Sequence, residues 1–346
     1  MNSTYDSSSA TNPDKTVRVE GISIIIATCN RPELAYRAVK SVVAQSLVEK
    51  QIVVVNNGSS VENQAHYQTL FAELAEQIEY VDLCTSQAIG VGPSIARNVG
   101  LSYVTGKYVT FCDDDDEWID PEYLANIAQS LRKYQPDILF SDQKAIQANG
   151  TVKAKHWFDN DALLHSSVPL DDGDIYQVEA SYFYQHGGFP HLNITVYNYE
   201  LISQWGGFCK ALDYEEDFEL FHRLLSHSNL LLYYDQVVSL HHIPDQQYQD
   251  NVTTAMNQQH KQLSRLYIFT KLTLESLSPQ LSRFARIHAS YAAARLAEFA
   301  LEKRDFALAK QMSKQAISWR LSPKMALLFG YTVLRSCIAA VGKTQR

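Results

Sequence analysis

Residues Gly106 to Trp118 read GKYVTFCDDDDEW, in which a short apolar strand, Tyr108 to Cys112, runs straight into Asp113, Asp114, Asp115 and Asp116. Tyr, Val, Thr and Phe suit a buried position in a sheet. Four carboxylates at the end of a buried strand repel one another and lose hydration. A cation, hydrogen bonds or open water must compensate. Ligand crevices of open α/β sheets form at that end of the strands. A hard divalent cation with oxygen ligands, Mn2+ or Mg2+, fits such a set. The alternative reading is a solvated acidic turn capping the helix that starts near Pro121.

Upstream, Gly21 to Ala27 (GISIIIA) is a near-continuous β-branched run, as in a central parallel strand. Thr28-Cys-Asn-Arg-Pro32 then turns into a helix whose apolar face is Leu34, Ala38, Val42 and Val43. A strand at Gln51 to Val55 ends in Asn56-Asn57-Gly58-Ser59, a helix is expected over 61–77, and a third strand over 78–83. Pro93 opens the helix that precedes the acidic strand. Strand–helix alternation at this spacing predicts a doubly wound, mostly parallel α/β sheet, with polar strand ends converging on one rim. Downstream, Leu212-Asp-Tyr-Glu-Glu-Asp217 leads into a helix, and a strand from Leu230 continues to His241-His242.

Three regions are expected: a disordered lead over 1–19, an α/β domain over 20–245, and a helical region over 256–346 behind a polar boundary at 243–257. Within the last, Ala-rich stretches flank Lys303-Arg-Asp305 with spacing that resembles one tetratricopeptide-type hairpin. The whole chain of 346 residues has a net charge of −8. From Lys261 onward, however, there are 15 Lys+Arg against 4 Asp+Glu, so +11, which leaves −19 for the rest. A basic tail on an acidic body suits an anionic lipid surface or simple packing against that body. The last helix, Met325 to Val341, reads as a packed amphipathic helix with interfacial membrane contact as the alternative. Five scattered cysteines exclude a CxxC zinc site and fit a reducing compartment, so a cytoplasmic location is expected, peripheral to the inner face of the membrane. No nucleic-acid-binding module is visible.

Five pieces, in order, resemble the GT-A fold of family 2 glycosyltransferases over residues 20–245: IIIATCNRP, IVVVNNGSS (where the family has VVDDGS), GVGPSIARNVGL, YVTFCDDDDEW and GGF…EED. The resemblance implies a metal-dependent inverting transfer from a nucleoside diphosphate sugar, UDP-linked, to a glycan or lipid-linked acceptor in bacterial surface polysaccharide synthesis. It makes Asp115 the direct metal ligand, and gives Asp113 to ribose or to metal-bound water. Asp116 is assigned to the donor sugar, with the side chain of Asp114 turned away. Thr28, Asn30, Arg31 and Asn57 would hold base and ribose, and Arg97 the diphosphate or Asp113. Asp217 is expected as general base with Glu216 as runner-up and Glu215 facing solvent, although an acidic helix N-terminus explains the same residues. His241 rather than His242 is expected to complete the metal or diphosphate site. Trp118, Tyr182, Tyr184, Trp205 and Tyr214 are candidate faces for an acceptor sugar. The rival readings are a nucleotidyltransferase of related fold, which would want a Gly-rich loop after the first strand, and a catalytically degenerate sugar-nucleotide-binding partner protein. A dinucleotide-dependent oxidoreductase fails because Gly90-Val-Gly92 meets Pro93 and has no third glycine.

Overall fold

The computed structural model describes residues 19–83, 90–147, 149–153, 157–170, 173–243, 256–276 and 278–344. The expected lead apart from Val19, and most of the boundary loop, lie outside these. The parallel half of the sheet comes first. It comprises β1 (Val19–Thr28), β2 (Lys50–Asn56), β3 (Glu79–Asp82) and β4 (Gly106–Phe111), with α1 (Pro32–Val43), α2 (Val61–Phe71) and α3 (Pro93–Tyr103) between them. β1 pairs in parallel with both β2 and β4, so its Ile24, Ile25 and Ile26 are covered on every side and essentially unexposed. That is why this strand has no alternation. α3 lies close on β1 because residue 100 is glycine: a Cβ there would come within 2.5 Å of Ile25. α2 ends at Phe71 and tightens into a 3-10 turn over 72–74, short of the expected 77.

The second half follows the acidic run. It contains β5 (Glu117–Trp118), α4 (Tyr123–Tyr134), β6 (Ile138–Gln147), β7 (Val152–Lys153), α5 (Asn160–Ser166), β8 (Val168–Leu170) and β9 (Ile175–Val178). Next come α6 (Ser181–His186), β10 (Thr195–Asn198), α7 (Tyr199–Gln204), α8 (Glu216–Leu225) and β11 (Leu231–Ile243). The sheet order is β3-β2-β1-β4-β10-β6-β11-β9-β8. β10 slots antiparallel between β4 and β6, so the sheet is mixed rather than wound in parallel throughout. Simple strand–helix alternation does not signal that insertion, because β10 has only four residues and pairs with strands far away in sequence.

Four helices follow: α9 (Gln258–Glu275), α10 (Pro279–Glu302), α11 (Phe306–Trp319) and α12 (Pro323–Thr344). α10 and α11 form an antiparallel hairpin with Asp305 capping α11 through Leu308 N–H. The helices are not detached from the sheet domain. Leu212, Phe218 and Tyr184 pack with Ile268, Phe269, Leu272 and Phe284 in one apolar cluster. Beside it, buried Glu219 of α8 accepts hydrogen bonds from Arg223 at 2.7 Å and from Lys271 of α9 at 2.7 Å.

Candidate active site

The end of β4 carries the four aspartates onto the rim, and each meets a different environment. Asp113 takes Arg97 Nη2 at 2.8 Å, and its own N–H donates to Asn193 Oδ1 at 2.8 Å. Burial opposes ionisation of Asp113, but Arg97 and then His191 outweigh it and hold its carboxyl below the ordinary value. Asp114 is buried. It accepts from Thr28 Oγ1 at 2.7 Å and from Arg31 Nη1 at 3.2 Å, and burial raises it despite Arg31. Its side chain therefore does not turn into solvent but ties the rim to the end of β1. Asp115 is the more open carboxylate; among the described residues it is held by Arg31 Nη1 at 3.1 Å, while its carbonyl accepts from Arg37 at 2.8 Å. Burial, then repulsion from Asp116, Asp114 and Asp113, pushes it up to about 7. Asp116 is fully buried and accepts from Asn193, from His241 Nδ1 at 2.8 Å and from His242 N–H at 2.7 Å.

β11 runs beside the rim and presents its two histidines differently. The His241 ring turns to Asp116, whereas the His242 ring reaches Glu117 at 3.1 Å and only its backbone meets Asp116. This is the opposite-face rule of an extended strand. Asp116, His191 and His241 place one ligand atom each within 4.8 Å of one another. Burial, then the neighbouring His241, pushes His191 down to about 4, so it is a neutral imidazole with a lone pair to give at pH 7. Two imidazoles and a carboxylate suit Mn2+, and a rim whose Asp115 is destabilised by its like-charged neighbours has negative charge to spare. Expectation had grouped Asp115, Asp113 and His241. The structure brings His241 to Asp116 and His191, and leaves Asp115 with Arg31.

α8 closes the site from the other side. Glu215 sits at its N-terminus in the left-handed region, φ 55°. It is not solvent-facing as expected, because Arg265 of α9 grips it through Nη2 at 2.6 Å and Nε at 3.0 Å. Glu216 is buried and accepts from Arg97 Nη1 at 2.5 Å. One guanidinium therefore joins the aspartate rim to α8, and burial, although it opposes the charge, is overcome by Asp113 and Glu216 so that Arg97 stays cationic. Asp217 follows, half-buried, with Phe218 N–H donating to its Oδ1 at 2.8 Å. Burial, then repulsion from Glu216, pushes it up to about 7 against the pull of Arg97. A carboxylate poised there is suited to take a proton near neutral pH. Gly207 precedes this segment with φ 67°, and a Cβ on it would collide with Asn98, so glycine is required for the chain to pass α3.

The loops after β1 and β2 are locked together. Asn30, at φ 57°, accepts from Ser60 N–H at 2.8 Å and Asn63 Nδ2 at 3.0 Å. Thr28 also meets the Tyr67 hydroxyl at 2.7 Å, and that hydroxyl accepts from Arg31 N–H at 2.9 Å. The amide oxygen of Asn57 already accepts from Val91 N–H at 2.8 Å, which anchors the loop leading into α3.

Of the five aromatic residues expected to face an acceptor, Trp118 and Tyr182 are core residues, 4% and 3% exposed. Trp118 donates its indole N–H to the Asn193 carbonyl and packs edge-on against Tyr123. Tyr184 packs against Phe284 of the helical region. Trp205 stacks on His227 on the α8 side, and Tyr214 packs under Lys261 and Arg265. The residues around the rim that sequence reasoning missed are Asn193, His191 and Trp157. Trp157 packs edge-on against His191 and His241, with ring centroids 5.6 and 5.1 Å away. They come from a region without a readable motif, and only the antiparallel insertion of β10 delivers Asn193 to the rim.

Comparison with known proteins bears on the fold that carries these residues. Residues 23–190 match the sequence model of "Glycosyl transferase family 2". Glycosyltransferase GlyA of Streptococcus pneumoniae serotype 4 is 32% identical over 117 residues, 34% of this chain and 16% of that protein. The GalNAc(5)-diNAcBac-PP-undecaprenol beta-1,3-glucosyltransferase of Campylobacter jejuni is 34% identical over 96 residues, 28% of this chain and 30% of that protein. The matched stretch thus spans less than a third of the length of these curated relatives. In fold, the chain is similar to S. aureus TarS 1-349 in complex with UDP, with TM-score 0.60, 16% identity, and 91% of this chain and 87% of that one covered. It is likewise similar to the mannosyltransferase PcManGT from Pyrobaculum calidifontis in complex with GDP-Man and Mn2+, with TM-score 0.56, 15% identity, and 96% and 89% covered. Residues 23–190 belong to glycosyl transferase family 2, and they are set in a GT-A fold.

Proposed function

We propose that the chain transfers a sugar, with inversion, from a UDP-linked donor to a hydroxyl of a glycan or lipid-linked acceptor in bacterial surface polysaccharide synthesis, at the inner face of the membrane. One observation carries this reading: Arg97 joins Asp113 and Glu216 through the two ends of one guanidinium, so the acidic rim lies within electrostatic reach of the raised carboxyl of Asp217. In the transfer, the acceptor oxygen bonds to the anomeric carbon as the bond to the diphosphate breaks. The hydroxyl proton passes to Asp217 and the electron pair leaves with the diphosphate. Glu216, fixed by Arg97, keeps Asp217 raised and is the alternative base. Arg31 and Arg97 offer cationic charge to the diphosphate, and Thr28, Asn30 and Asn57 line the nucleotide side.

Asp115 and Asp113, with His241 and its partners Asp116 and His191, would hold Mn2+ or Mg2+, whose charge offsets that developing on the diphosphate. The UDP bound by TarS and the GDP-Man and Mn2+ bound by PcManGT favour a nucleotide-sugar donor and a divalent ion. Thermal-shift screening with UDP, GDP, dTDP and CDP sugars tests the reading. UDP sugars are expected to raise the midpoint, and more so with Mn2+ than with EDTA. No shift with any nucleotide sugar, with or without Mn2+, refutes it.

A further inference from the structure

The last helix is apolar on both of its faces. Leu327, Tyr331, Leu334 and Ile338 of α12 are exposed at 75, 46, 57 and 59% and recur at i, i+4, i+7 and i+11, one outward stripe. The face turned inward packs Met325 and Leu328 against Ala293, Ala294 and Ala316, and carries hydroxyls beyond them. Thr332 is fully buried with its Oγ1 2.6 Å from that of Ser313, and Ser336 Oγ donates to the carbonyls of Phe306 and Thr332 at 2.8 Å. A helix lying against water shows polar residues on its outer face instead. The surroundings of the stripe are cationic. Lys324 and Arg335 fall on one flank of it, and Arg335 is held there over the rings of Tyr331 at 5.8 Å and Phe306 at 5.0 Å. From Phe306 to Arg346 the sequence has seven Lys and Arg and no Asp or Glu. Leu321, 81% exposed, follows Arg320, which with Arg283 and Arg286 lines a cleft of about 440 Å³ beside Trp319.

We propose that the outward face of α12 lies in the headgroup layer of an anionic phospholipid membrane, its leucines, Tyr331 and Ile338 among the acyl chains and its Lys and Arg among the phosphates. It rests on the lipid-linked acceptor reading above for its purpose, but not for its geometry. No helix among the described residues is long and apolar enough to cross a bilayer. The helix therefore lies on the membrane. A second copy of this chain fits the stripe less well. Paired α12 helices would bring flanking charges of one sign together, without the acidic partners that helix pairing uses.

Co-sedimentation of the full chain with vesicles of phosphatidylcholine and phosphatidylglycerol tests this. Wild type is expected to bind at low salt and to release at high salt or from phosphatidylcholine alone. Leu327→Ser with Ile338→Ser should weaken vesicle binding by roughly tenfold for each side chain, with unchanged circular dichroism. Lys324→Gln with Arg335→Gln should cost about tenfold on anionic vesicles only. Both pairs should keep the wild-type thermal shift with donor, so a failure here is distinct from a failure of the donor reading. Three results overturn the proposal: no binding to anionic vesicles, equal binding by the serine variant, or a wild-type dimer that the serine variant splits while neither binds vesicles.

Discussion

Replacing Asp217 with Asn separates two consequences of one carboxyl. The group is pushed from 3.8 up to about 7 by burial and by Glu216, so the folded state holds its proton more tightly than the unfolded chain does. An acid raised in this way costs stability as pH rises. The loss begins near the unfolded value, about 4, and is complete above about 7. At about 1.36 kcal/mol for each factor of ten in proton affinity, the gap corresponds to at most about 4 kcal/mol, and solvent reaching a half-buried carboxyl reduces this to about 1–2 kcal/mol. The amide oxygen of the Asp217→Asn protein would still accept from Phe218 N–H, so the helix start survives. Thermal melts of both proteins from pH 4 to pH 8 should therefore converge at the acid end, with the Asn protein melting several degrees higher at pH 8. The same substitution should leave donor affinity unchanged by calorimetry and lower turnover by about 10²–10⁴-fold, the usual worth of a general base. In wild type, kcat/KM should fall tenfold per pH unit below about 7. Turnover within a few-fold of wild type, or a melting difference that does not grow with pH, would refute the reasoning.

Arg97→Met leaves Asp113 and Glu216 buried without their shared cation, which should cost about 3–5 kcal/mol and lower the melting midpoint by many degrees. It should also move the acid limb of the rate profile above about 7, because Arg97 pulls Asp217 down; an unmoved limb would separate the two groups. Asp115→Ala should abolish Mn2+-dependent donor binding in calorimetry. With metal absent it should change stability by less than about 1 kcal/mol, since Asp115 loses only a half-open ion pair to Arg31 and relieves its neighbours. Donor affinity that keeps its Mn2+ dependence would remove Asp115 from the ligand set.

Much of the fold was legible in local patterns. The β-branched run at 22–26, the proline at the first turn of α1 and of α3, and the polar strand ends are nearest-neighbour signals, and they define β1, β2, β4 and the rim between them. The residues of the candidate site were legible where they follow strand ends or open a helix: Thr28, Asn57, Asp113 to Asp116, and Glu216-Asp217. The apolar character of α12 was legible too, but the helix runs over Pro323–Thr344 rather than the expected Met325 to Val341, and which of its faces turns outward was not legible.

What the order of residues could not settle is which carboxylate meets which cation. Arg97 reaches Glu216, 119 positions away, only because α3 and α8 approach across the sheet end. His191 and Asn193 reach the rim only because a four-residue strand enters antiparallel between β4 and β6. Glu215 is claimed by Arg265 from the helical region rather than by water. Sequence by itself determined the strands of the parallel half, the acidic rim and the basic tail, since periodicity and charge are local properties. The tertiary structure decided the pairings, because the energy of a buried charge depends on groups brought near it by packing and not on its neighbours along the chain.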